Sequence, residues 1–362
     1  MENHTFFIAL LSYVKPIGYV VIPYSCFRKN EKFISVQERL STLNISNYNQ
    51  LTEAEAEVFT LAESYSNQAI INQFSKKKES PKDFFTHLDK KLLDETIRPF
   101  IERRISKILD ILLQNNIPFY NGKGGSNLYA EDKITIEKDS PQATLKFIRT
   151  DEGTHYKMRV FHSGRELVLN NAENTILVND PCWYLTGSKL MKFNEQISGK
   201  LLMPFRNKDF VHIPKRIEYQ YFSTFIRKIA TRCYIEAEGF KINDLQHQPS
   251  AILSLEADWQ GRKALILQFQ YGDKIVLANN PQRTFTTLLA DESGFIFNRF
   301  KRNLAWEAAQ INFLKAKNLK QVEATFIINA DKTPVNQDYR MVEWLTENYT
   351  YLLQHSFSVK QP

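Results

Sequence analysis

The spacing of apolar residues changes in blocks along this chain, and that order narrows the accessible folds more than any other feature. A hairpin pattern comes first, then helical spacing, then a long run of short alternating clusters, then a mixture of both. A doubly wound sheet needs strand and helix patterns to alternate. Grouped patterns instead predict an α+β fold of several domains, with antiparallel sheets and segregated helices. At 362 residues the chain has material for more than one core.

Phe6–Val14 and Tyr19–Phe27 are apolar, β-branched and aromatic runs joined by Lys15-Pro16-Ile17-Gly18, which predicts a hairpin. Thr52-Glu53-Ala54-Glu55 is a capping-box pattern and opens a helix carrying Val58, Leu61, Ala62 and Tyr65. Ser80-Pro81 starts a second helix with Phe84, Phe85, Leu88 and Leu92. A third runs from about 96 to 115. The glycine-rich segment 122–127 predicts a boundary, so residues 1–124 form a hairpin-plus-helical domain. Short clusters from Ile134 to Val178 predict an antiparallel meander over 125–212. Residues 213–362 read as an α+β region. It opens on a helix after Ile213-Pro214 whose inner face is Tyr219, Phe222, Phe225, Ile226 and Ile229, and it ends on helix 338–354 and a short strand at Ser356–Val359.

Catalytic constellations are wanting. Gly122-Lys123-Gly124-Gly125-Ser126 lacks the spacing and the following helix of a phosphate loop, and reads as an interdomain turn. Asp94-Glu95 has no buried strand before it to carry a magnesium ion and reads as a solvated helix start. None of the seven histidines pairs with another at helical ligand spacing, so no metal is expected. Cys26, Cys182 and Cys233 are too scattered for a disulfide framework and read as buried apolar side chains of a reducing compartment, the cytoplasm. No apolar run approaches the roughly 18 residues of a membrane span, and no cofactor is expected.

Basic residues carry the one signal above background. The chain's formal charge is +7, yet Lys200–Arg232 holds eight basic residues against Asp209 and Glu218, and Arg299–Lys320 holds six against Glu307. Phosphate contacts with duplex DNA or another nucleic acid are therefore assigned to Lys215, Arg216, Arg227, Lys228, Arg232, Arg299, Lys301 and Arg302, in stretches that also hold Phe205, Tyr221, Phe300 and Trp306. Solvated faces of core helices are the alternative.

Pro249–Asp258, Ala264–Gly272 and Arg299–Glu307, a strand pair followed by a basic cluster and an amphipathic helix, resemble the region preceding the motor in bacterial Swi/Snf-family helicase-like ATPases. Asn179-Asp180-Pro181-Cys182-Trp183 and the closing helix-to-strand pattern Val342–Val359 are similar to it as well. The resemblance covers residues 180 to 362 and, more loosely, the first third. The chain lacks the family's two ATPase lobes, its Gly-Lys-Thr loop, its Asp-Glu-x-His box and a zinc motif near the start, so no catalytic residue carries over. The resemblance implies a non-catalytic accessory module that helps a Swi/Snf-type motor, in cis or in trans, engage nucleic acid. A protein-interaction scaffold is the competing expectation. The short closing strand is expected to fray, its partner strands coming from the continuing chain or from the motor.

Overall fold

The computed structural model describes residues 5–28, 33–47, 51–75, 77, 80–122, 126–194, 197–257, 263–291, 294–328 and 337–360. The fold is α+β with mostly antiparallel sheets. The chain divides into two units, Met1–Lys146 with His155–His212, and Phe147–Thr154 with Ile213–Pro362. The expected division at 124/125 falls inside the first unit. Strands Phe119–Asn121 and Asn127–Leu128 flank it and close the two ends of one sheet. Lys123, Gly124 and Gly125 lie outside the described residues.

In the first unit, Thr5–Val14 pairs antiparallel with Gly18–Arg28, as the hairpin pattern predicts, and in parallel with Phe119–Asn121. Helices Glu53–Glu63 and Arg98–Asn115 share a core with this sheet through Val58, Ala62, Ile101, Ile105, Ile108 and Leu109. The Thr52 hydroxyl accepts the Glu55 N–H while Glu55 accepts the Thr52 N–H, completing the capping box. Helix Asn67–Phe74, capped by Ser66, has no counterpart in the sequence reading. Arg98 ties the long helix to its surroundings: it donates to the carbonyls of Ile17, Tyr19 and Leu177 and pairs with Glu102 at 3.0 Å. Glu102 in turn accepts from the backbone and side chain of Asn179, and Trp183 donates to Ser106 at 3.0 Å.

In the second unit, Pro249–Ala257 and Lys263–Tyr271 pair antiparallel at the centre of a sheet covered by helices Leu304–Ala316 and Gln337–Gln354. A separate sheet joins Lys241–Asp244, Gly294–Lys301 and Thr284–Asp291.

The expectation of a frayed tail is corrected. Phe357–Lys360 lies parallel to Pro249–Ala257, with Ala251 opposite Phe357 and Ser254 opposite Lys360, and the Phe357 ring packs 5.7 Å from that of Phe313. Helix Gln337–Gln354 supplies the crossover that a parallel neighbour requires, so the strand finds its partner earlier in the chain. Amides of Phe357–Lys360 that bond to Pro249–Ala257 are expected to exchange hydrogen well below the free-chain rate. Free-chain exchange across all four would contradict the pairing.

Candidate nucleic-acid interface

Five of the eight basic candidates sit on one helix and the turn that follows it. The helix runs from Lys215 to Tyr221, passes through a π-helical turn at Phe222–Ile226 and finishes at Arg227–Ala230. Pro214 is extended and precedes the first helical residue, so it caps the helix rather than opening it. Phe222, Ile226 and Ala230 are buried at steps of four across the π turn, which accommodates an extra residue, and Glu218 and Ile229 are buried with them. That step corrects the expected apolar face. Tyr219 is turned outward, 69% exposed, and Phe225 is half-buried.

Aromatic stacking fixes the helix to its sheet. The Phe222 ring lies 4.5 Å from Phe295, 5.3 Å from Phe240 and 5.7 Å from Phe147. The opposite face is cationic. Lys215, Arg216, Arg227, Lys228 and Arg232 are exposed, and among the described residues none has an ion-pair partner or a side-chain hydrogen bond. Glu218, the carboxylate that the sequence count set against them, is buried; Thr154 donates to it and Arg149 stands 3.9 Å away. The outward charge from Lys215 to Arg232 is therefore wholly positive.

The second basic stretch is different. Arg299 grips Asp244 through two hydrogen bonds, 2.6 and 2.9 Å, and donates to the Tyr234 hydroxyl at 2.9 Å. Those bonds hold the Asp244 carboxyl below its usual pKa range. Lys301 is exposed. Arg302 is the clear correction. Its side chain is 1% exposed, paired with Glu307 at 2.8 and 2.5 Å and donating to the carbonyls of Asn280 and Gln282. Its charge is neutralised inside the fold and offers nothing to a phosphate. Tyr271 donates to the same Glu307 at 2.6 Å and accepts the Asn303 N–H at 2.8 Å; burial first, then the bond to Glu307, pushes its phenol up. This network anchors the start of helix Leu304–Ala316.

Lys200, Arg206 and Lys208 belong to the first unit, where Arg206 donates to the Asn174 carbonyl at 3.0 Å. The fold also gathers groups that chain spacing does not relate. His155 stacks on Phe210 at 4.7 Å and meets His212 edge-on at 4.8 Å. Among the described residues no three His, Cys, Asp or Glu side chains converge as a metal site requires. No described helix is long and apolar enough to cross a membrane.

The cysteines are all buried and free. Burial pushes the thiols of Cys26 and Cys233 up to about 12 and raises that of Cys182. A thiol reagent at pH 8 is therefore expected to label none of them in the folded chain and all three in guanidinium, since the thiolate is the reacting form. Prompt labelling of the folded chain would contradict this burial.

No protein-family model, curated protein or solved structure matches the chain.

Proposed function

We propose that the chain is a non-catalytic accessory module of a Swi/Snf-type DNA-dependent ATPase and that it engages nucleic acid through the outer face of helix Lys215–Ala230. The observation carrying this reading is the set of five exposed cations, four on the helix and Arg232 in the turn after it, which have no partner among the described residues, while the helix's only carboxylate is buried. Such a surface neutralises phosphates, and the affinity rests mainly on those contacts, which carry no sequence information. The motor's involvement rests on the resemblance of the strand pair and helix between Pro249 and Glu307 to the region preceding the motor.

Two unrelated 20-base-pair duplexes are expected to bind with equal affinity at low salt, read by fluorescence anisotropy. No binding at 0.05 M salt would remove the nucleic-acid reading. A scaffold that recognises protein is the second reading. It is favoured by Tyr339, Val342, Tyr349 and Leu353, which recur at three- to seven-residue steps along helix Gln337–Gln354 and are exposed.

A further inference from the structure

Resting on the reading that helix Lys215–Ala230 contacts phosphate, we infer that it lies across the major groove of a duplex, with its two cation pairs held by opposite strands. Lys215 and Arg216 form one pair, Arg227 and Lys228 the other, twelve residues apart. In a regular α-helix twelve residues would turn the pairs roughly 120° away from each other. The π turn at Phe222–Ile226 takes up one residue, so the spacing behaves as eleven and the pairs come within roughly 20° of one line, three turns and about 16 Å apart.

Between the pairs the exposed positions are Ile217, Tyr219, Gln220 and Thr224, none of them charged. A run of cations tracking one strand would have no such gap. The separation of about 16 Å fits phosphates on the two rims of a groove about 12 Å wide, and overshoots the minor groove at about 6 Å. The helix cannot easily pivot, because Phe222 is stacked on Phe295 and Phe240. Arg232, just beyond the helix, adds a third cation at the Arg227 end.

The test is a cycle of two protein forms and two duplexes. The full chain and its Lys215→Gln/Arg216→Gln variant are titrated with an ordinary 20-base-pair duplex and with one whose second strand carries neutral methylphosphonate linkages. On the ordinary duplex the variant is expected to bind about 100-fold more weakly at 0.05 M salt, the worth of two phosphate contacts at 0.9 per decade of salt. On the half-neutral duplex the variant is expected to match the unaltered chain, because one pair already has no phosphate to meet. An equal loss on both duplexes means that both pairs follow one strand; the groove-spanning geometry is then wrong while phosphate contact stands. If the unaltered chain fails to bind the ordinary duplex, the underlying reading falls and this geometry with it.

Discussion

Replacing Lys215, Arg216, Arg227 and Lys228 together by glutamate is expected to lower affinity for duplex DNA by about three orders of magnitude or more at 0.05 M salt. Phosphate neutralisation supplies essentially all of a sequence-indifferent affinity, and four of the five outward cations are lost at once. The four side chains are exposed and, among the described residues, have no partner, so folding should be spared. Surface changes of this kind usually cost within about 0.5 kcal/mol, and the melting curve serves as the control. Wild-type affinity in a well-folded variant would place binding elsewhere on the chain. By contrast, Arg299→Gln should weaken binding little, because its guanidinium is already committed to Asp244 and Tyr234.

The second large effect concerns Arg302 and Glu307, whose side chains are 1% and 4% exposed. Removing one partner by Arg302→Ala or Glu307→Ala strands an uncompensated charge in the interior, and a loss of about 3–5 kcal/mol is expected by urea denaturation. Replacing both, Arg302→Met with Glu307→Leu, is expected to cost distinctly less than either single change, since a pair of buried charges is often worth no more than apolar side chains of similar volume. Tyr271, which donates to Glu307, would lose that acceptor in either Glu307 variant and keep only the bond it accepts from the Asn303 N–H. Single variants that lose less than about 1 kcal/mol would contradict the buried pairing.

These two predictions mark where the sequence is legible and where it is not. Local chemistry reads well. The reciprocal bonds of Thr52 and Glu55, the hairpin of Thr5–Val14 with Gly18–Arg28 and the paired strands from Pro249 to Tyr271 all depend on residues close in the chain. Helix Asn67–Phe74 escaped because its polar residues dilute the apolar spacing that Ile70 and Ile71 provide. Parallel pairings, such as Ala9 with Phe119 or Ala251 with Phe357, join segments about a hundred residues apart and leave no local mark.

The candidate site divides in the same way. A count of charges found the stretch from Lys215 to Arg232 but weighed Glu218 as a surface charge, when the side chain is buried against Thr154 and Arg149. Arg302 looked equivalent to Lys301, its neighbour. Their fates differ because successive residues of a strand point to opposite faces, and on leaving the strand Arg302 meets Glu307, Asn280 and Gln282 inside the fold. No composition argument distinguishes a cation held by a buried carboxylate from one facing water. The assignment of Phe147–Thr154 to the second unit is equally silent in sequence, since both strands that carry it run on without a break.

The salt dependence of duplex binding tests the central claim most directly. With Lys215, Arg216, Arg227, Lys228 and Arg232 each neutralising one phosphate, the logarithm of affinity should fall with the logarithm of salt concentration at a slope of about −4 to −5. A slope shallower than about −1, or no binding at 0.05 M salt, would contradict the assignment of this helix as a phosphate-binding surface.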